Sequence, residues 1–503
     1  MYRYQNPIIP GFNPDPSVCR DGDDYYLVTS TFEFFPGVPI YHSKNLVNWE
    51  LIGHCLHRNE QVPLEGCGAS GGIYAPTLRK QGKYFYMTTT NVSSGGNFIV
   101  HAEDIRGPWS NPVYIDQGGI DPSLLFINDT VYFCSNGGEG DQQGICLCEI
   151  DPLSGKKVTP SKCISFGCGG KNAEAPHLYC INNWYYLMLA EGGTEYGHMV
   201  TIQRSRDIYG PYEPCPHNPI LSHKDRNHSI QATGHADIFE DHRGNWWMVC
   251  LGIRPLGWAM LHNLGRETFL APVLWQDGWP VVGNNGTLEL TMEAPLPAPP
   301  EPVNFDFTDD FSASTPAPNW TYIRNPDRAR YQRGGGLLRI EGTGGDLSTP
   351  DTNPSFVGLR QQSFSMEAVT GIHKNFKPGA QAGISAYYNH DYHYDLGLEC
   401  DHSGNYSVIL NKRLHDLEQI TFRQAIAASA ETVDLRITSD RKQYRFWYRT
   451  GESAWVECGV GLTAGLCTEG THTMTFTGVF IGLFSTGGSA EFTGFTVHNK
   501  PDV

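Results

Sequence analysis

The chain alternates short apolar and aromatic runs with Gly-, Asn- and Asp-rich turns, and helical periodicity is nearly absent. Runs of this length bounded by such turns predict β-strands. One phrase recurs, leading through a polar turn into an aromatic strand. It reads Asn13-Pro14-Asp15-Pro16-Ser17 before residues 25–32, Ala75-Pro76-Thr77-Leu78 before 84–89, and Asp121-Pro122-Ser123-Leu124 before 131–134. It returns as Ala175-Pro176-His177-Leu178 before 184–188 and His235-Ala236-Asp237-Ile238 before 246–249. Equivalent positions lie 46 to 60 residues apart. Aromatic strand pairs at that period are what four-stranded propeller blades produce. Five repeats predict five blades around one axis.

A propeller brings equivalent positions of its blades to the central channel. Asp15 and Asp121 occupy such positions, Glu174 comes one residue before the fourth, and His235 is the fifth. The prolines around Asp15 predict a stiff, extended backbone there. That suits an acid or base, which must be positioned accurately. Burial and mutual repulsion spread the pKa values of carboxylates that share a pocket.

The propeller signal runs over residues 1–295. A Pro-rich stretch follows, Ala294-Pro295-Leu296-Pro297-Ala298-Pro299-Pro300-Glu301-Pro302, and predicts a semi-rigid linker over 296–306. Residues 307–503 again read as short strands, among them 337–340, 382–388, 406–410 and 444–448. This spacing predicts a two-sheet β-sandwich, so the whole chain is expected to be all-β. The sandwich is either a carbohydrate-binding module or a structural partner of the propeller.

The formal net charge of −17 argues against nucleic acid and anionic membranes as partners. No apolar run is long enough for a membrane helix, and the N-terminus shows no signal core, so a cytoplasmic location is expected. The 14 cysteines lack zinc-site spacing and read as reduced, mostly buried thiols. Aromatics make up 12% of the chain; most suit β cores, and a few could stack on sugars.

The ordered set Asn13-Pro14-Asp15-Pro16-Ser17, Gly119-Ile120-Asp121-Pro122-Ser123, Glu174-Ala175-Pro176-His177-Leu178-Tyr179, Ala190-Glu191-Gly192-Gly193-Thr194, Gly234-His235-Ala236-Asp237 and Leu264-Gly265-Arg266-Glu267-Thr268 resembles glycoside hydrolase family 43. Within it, the likeness is to the β-xylosidase/α-L-arabinofuranosidase group with a C-terminal β-sandwich. The resemblance covers essentially the whole chain and implies an inverting glycosidase. It implies Asp15 as general base, Glu174 as general acid, and Asp121 as the carboxylate that raises and orients the acid. An inverting pair needs one ionised and one protonated carboxyl, roughly 6.5–9.5 Å apart, with water between one of them and the sugar.

The same resemblance puts His235 on the axis beneath the sugar, holding either a hydrated Ca2+ or a hydrogen bond to Asp or water. It gives Arg266 contacts to sugar hydroxyls and carboxylates, and makes Phe32 an aromatic wall. Tyr74 stands where related xylosidases carry Trp, and Phe476 reaches across from the sandwich to close the pocket. No organic cofactor is implied. Two departures bear on substrate choice or the acid motif. Glu174-Ala175-Pro176 replaces Glu-Gly-Pro, and the segment from Arg254 to Arg266 is short. The expected activity is exo-release of single pentoses, foremost β-1,4-linked D-xylose from xylo-oligosaccharide or arabinoxylan fragments. The alternatives are α-L-arabinofuranosidase or dual action, and a non-catalytic sugar-binding propeller. Relatives of this type are often dimers or tetramers, so a homo-oligomer is an open expectation.

Overall fold

The computed structural model describes residues 1–257 and 260–500. Among the described residues regular structure is β throughout, apart from four single 3-10 turns. Five antiparallel sheets form the blades of a propeller. Their innermost strands are Ser17–Asp21, Thr77–Gln81, Ile120–Ile127, Glu174–Ile181 and Gln231–Glu240. Each packs against the next, and the fifth packs back on the first, closing the ring. The aromatic runs form the second strands, such as Tyr84–Asn91 and Trp246–Ile253, whose apolar side chains fill the space between blades.

The N-terminus locks this ring. Tyr2–Gln5 pairs antiparallel with Thr291–Ala294. The Asn6 amide donates to Leu270 O at 3.0 Å and accepts from Leu270 N at 2.9 Å. The Thr268 hydroxyl donates to Asn13 O at 2.6 Å. Asp15 is thereby fixed at the seam between the first and fifth blades.

A buried polar layer ties the inner strands together. The Asp237 carboxylate accepts from the Ser17 hydroxyl at 2.7 Å, from Tyr179 at 2.8 Å and from both terminal nitrogens of Arg79 at 2.8 and 3.1 Å. These residues come from four different blades. Burial alone would raise the Asp237 pKa, but Arg79, His177 and Ser17 outweigh it and bring it down to about 2. A buried pair this well hydrogen-bonded holds geometry, whatever its net stabilisation. Ser17 and Asp237 each follow a candidate site residue, Asp15 and His235, by two positions.

The C-terminal region forms two packed sheets around its own core. One of them ends on a strand borrowed from the propeller. Phe34–Phe35, in a loop of the first blade, pairs with Thr321–Ile323. Phe12, Phe32, Phe34, Ile323, Phe356, Tyr387 and Phe480 form one apolar cluster across the seam. Phe34 and Phe35, both fully buried, are thus packing residues. The Pro-rich segment is pinned along the first blade, where the Asn48 side chain brackets the Glu301 backbone at 2.9 and 2.8 Å.

Two sequence expectations are corrected. The strand beginning near Tyr25 ends at Val28, not Phe32; beyond it Ser30 bonds back to Pro14, and Phe32 turns to a φ of +52° and bonds to Ile73. The Asp15 backbone is not extended: its φ is +55°. Asp121, Ala175 and His235, at equivalent positions, are likewise left-handed at +55°, +51° and +44°. In three of these blades the innermost ladder slips register at this point. The repeated turn therefore re-aims the chain at the axis, at a strain of about 1–3 kcal/mol per residue by the usual scale. All fourteen cysteines are free. No described helix is long and apolar enough to cross a membrane.

Candidate active site

At the axis lies a cavity of about 170 Å³. All eight residues singled out from sequence line it: Asp15, Phe32, Tyr74, Asp121, Glu174, His235, Arg266 and Phe476. They come from every blade and from the sandwich.

Asp15 is 4% exposed and fully partnered. Its Oδ2 accepts from the Ser30 hydroxyl, and its Oδ1 lies 3.2 Å from the Arg266 guanidinium and 3.3 Å from His235 Nδ1. Burial pushes its pKa up, but Arg266, His235 and Ser30 outweigh burial and leave it below the ordinary 3.8. The other two carboxyls shift the opposite way. Burial, then the charges of Glu174 and Asp15, hold Asp121 well above its ordinary value, although the Ala175 amide donates to it at 3.2 Å. Burial and then Asp15 raise Glu174, against a smaller opposing pull from Arg266. The site thus separates one carboxyl that ionises readily from two that ionise less readily than usual.

Arg266 organises the wall. It pairs with Asp15, donates to the Thr194 hydroxyl at 3.0 Å and to the Phe476 carbonyl at 3.3 Å. Its charge sits 5.5 Å from the Phe32 ring centre and 5.4 Å from that of Phe476, within cation–π range. Phe32, Tyr74 and Phe476 touch one another at centroid separations of 5.0 to 5.9 Å. The Phe476 amide donates to the Ser70 hydroxyl at 3.0 Å, and the Ser70 amide donates to the buried Glu33 carboxylate at 3.0 Å. The backbone of the sandwich wall is therefore fastened to propeller side chains, Ser70 and Arg266.

The donors around His235 do not suit direct binding of Ca2+. That ion takes six to eight oxygens. Here it would meet an imidazole, the nearby His198 ring and one carboxylate oxygen already shared with Arg266. Burial lowers the His235 pKa, so the ring is neutral near pH 7 and its contact to Asp15 is that of a dipole.

Sequence reasoning missed several neighbours. Ser30, Thr194, Lys171, Asn172, His198 and Met474 touch the cavity or its charged groups. Only Thr194 carried a signal, as the end of Ala190-Glu191-Gly192-Gly193-Thr194. Glu191 in that motif faces away from chemistry. It is fully buried and accepts from the Cys168 amide at 2.6 Å and the Thr201 hydroxyl at 2.8 Å, holding the loop that carries Lys171 and Asn172.

Comparison with known proteins agrees with this architecture. The family model for glycosyl hydrolases family 43 matches residues 4–280. The model for the β-xylosidase C-terminal concanavalin A-like domain matches residues 308–498. A non-reducing end α-L-arabinofuranosidase of Bacteroides ovatus is 43% identical over 499 residues, covering 96% of this chain and 91% of its own. A β-xylosidase of Bacillus subtilis is 34% identical over 520 residues, covering 95% of each. The crystal structure of a xylan β-1,4-xylosidase from Bacillus halodurans superposes with a TM-score of 0.91 at 31% identity, over 99% of this chain and 100% of that one. The chain belongs to glycoside hydrolase family 43, with the propeller and concanavalin-like domain of its xylosidases and arabinofuranosidases.

Proposed function

We propose that the protein is an exo-acting, inverting glycosidase that releases single pentoses, and that its preferred substrate is a terminal α-L-arabinofuranoside. The observation that carries the mechanism is the split in the site: Asp15 pairs with Arg266 and ionises more readily than usual, while burial and Asp15 make Glu174 a weaker acid. In this reading Glu174 passes its proton to the glycosidic oxygen as the bond to the anomeric carbon breaks. Asp15 takes a proton from a water whose oxygen bonds to that carbon from the opposite face, inverting it. Burial and the charge of Asp15 favour the protonated form of Glu174, and Asp121, which accepts from the Ala175 amide, holds the backbone beside the acid. Arg266 orients Asp15 and presents donors to sugar hydroxyls. The polar layer at Arg79 and Asp237 and the Phe476 wall favour a pocket that takes one terminal sugar, hence exo action.

The sugar preference rests on similarity, in which 43% identity to an arabinofuranosidase stands against 34% to a xylosidase. β-D-Xylosidase is the second reading, supported by the several full-length relatives that bear that description. Side-by-side kcat/KM for 4-nitrophenyl α-L-arabinofuranoside and 4-nitrophenyl β-D-xyloside tests this. A ratio favouring the arabinofuranoside by at least about tenfold, or about 1.4 kcal/mol in transition-state binding, is expected. The reverse ratio installs the second reading.

The pH profile follows from the same groups. Asp15 titrates below 3.8, so the rising limb of kcat/KM lies in that range. The Glu174–Asp121 pair titrates above the ordinary 4.5, so the falling limb lies above it. The free-enzyme profile is therefore a bell. A profile that still climbs from pH 6 to 9 contradicts a protonated acid.

For His235 we propose a neutral ring hydrogen-bonded within the site, with no step that depends on Ca2+. Treatment with EDTA, followed by verified loss of bound metal, is expected to leave kcat/KM within about twofold. A tenfold fall restored by Ca2+ returns the ion to the axis.

A further inference from the structure

A second cluster of donors lies in the sandwich, away from the carboxylates of the cavity. Asp391, His415 and His472 each offer a ligand atom, and these atoms lie within 4.8 Å of one another. It is the one such group of three or more among the described residues. The residues are distant in sequence and sit on three separate connections. Asp391 lies between the strands Gln381–Asn389 and Tyr392–Cys400. His415 lies between Tyr406–Leu414 and Leu417–Ala425. His472 lies in the segment leading to Phe480–Thr486, four residues before Phe476.

The backbone brings them together before any ion does. The His415 amide donates to Asp391 O at 2.7 Å. The His472 amide donates to the Tyr392 hydroxyl at 3.1 Å. The two imidazoles face each other with centroids 4.0 Å apart and planes 25° from parallel. The Asp391 carboxylate lies beside them, its Oδ2 at 3.9 Å from His415 Nδ1.

We propose that Asp391, His415 and His472 form a site for a borderline divalent cation such as Zn2+ or Co2+. Two imidazoles and one carboxylate, with an open position for water, match that class and not Ca2+ or Mg2+, which want oxygen. At Zn–N and Zn–O lengths near 2.1 Å, tetrahedral donors stand about 3.4 Å apart. The donors must close by an ångström or so and the rings must turn out of their stack. The His415 side chain is 48% exposed, with its ring stacked on His472 and lying parallel to that of Tyr392. One cation already competes for Asp391: Arg413 donates to its Oδ1 at 3.2 Å. Arg413 also pairs with Glu418 at 3.1 Å, and Oδ2 remains for the metal. His390, 3.5 Å from that Oδ2, is a fourth donor within reach.

An ion here joins the segment carrying Phe476 to two hairpins of the sandwich. The placement is independent of the sugar preference and of the roles given to the carboxylates.

The test is a calorimetric titration of Zn2+ into metal-stripped full-length protein, with Co2+ absorption as a second probe. Wild type is expected to bind one Zn2+ with micromolar affinity and to give visible Co2+ bands of low coordination number. His472→Ala and His415→Ala, both at exposed positions, are each expected to weaken that site at least about tenfold while keeping the wild-type melting temperature without metal. Equal affinity in wild type and both variants places the metal elsewhere and overturns the proposal. So does the absence of binding up to about 1 mM.

Discussion

Glu174→Gln is expected to lower kcat/KM on an unactivated pentosyl oligosaccharide by about 10³-fold, near the middle of what a general acid contributes. The amide keeps the shape of the side chain but has no proton of suitable acidity to give. The loss should depend on the leaving group. A 4-nitrophenolate departs without full protonation, so the aryl glycoside should lose much less than the oligosaccharide. The pH profile should change with it. Glu174 is one of the charges that raise Asp121, so its removal relaxes Asp121 downward and abolishes the falling limb of kcat/KM. Binding of the free pentose should stay within a few-fold, because Arg266, Phe32 and Phe476 are untouched. Retained hydrolysis of the oligosaccharide removes Glu174 from the role of acid. Loss of sugar binding together with rate makes it a binding residue instead.

The repeat was legible because each blade must spell out its own strand pair and turn. Asp15, Asp121, Ala175 and His235 occupy one structural position, and the spacing of their motifs was enough to place them around one axis. The local backbone was misread for a definite reason. Proline flanks suggest extended geometry from pairwise sterics, but the turn toward the axis imposes a φ of +55° on Asp15 and Asp121. Ring closure and the packing of neighbouring blades overrule the dipeptide preference. Asp and His tolerate the left-handed region better than most side chains.

The neighbours that escaped notice share a different cause. Ser30 reaches Asp15 from across a hairpin, and Ser70 meets Phe476 across 406 residues of sequence. Neither residue sits in a pattern, since hydroxyls in loops are common. Nothing in the sequence of the strand Phe34–Phe35 announces that it completes a sheet of the other domain. Such pairings depend on how two finished domains meet. The fold of each domain can therefore be read from its own stretch of chain, while the wall that Phe476 adds to the cavity is anticipated only through the family resemblance.

Asp15→Asn is the substitution that separates base from acid. It is expected to lower kcat by about 10⁴-fold, the upper end for a general base, on the aryl glycoside and the oligosaccharide alike. Water must be activated whatever group departs, so leaving-group quality offers no rescue. This is the opposite of the pattern expected at Glu174. The variant should also melt lower. Arg266 is 7% exposed and would lose its ion pair, keeping only the Thr194 hydroxyl and the Phe476 carbonyl. Leaving one partner of a buried pair behind costs about 3–5 kcal/mol. The sign with pH is fixed by the direction of the shift. Asp15 has a lowered pKa in the folded protein, so its pairing stabilises fully above the unfolded carboxylate range and fades as pH falls through the folded value. The gap in melting temperature between wild type and Asp15→Asn should accordingly be widest near neutrality and narrow below pH 3.8. A variant that loses stability but hydrolyses both substrates at the wild-type rate would mean that Asp15 holds Arg266 and does nothing to water. A loss confined to the oligosaccharide would exchange the roles of Asp15 and Glu174. Only equal loss on both substrates fits a base that is kept ionised by the arginine beside it.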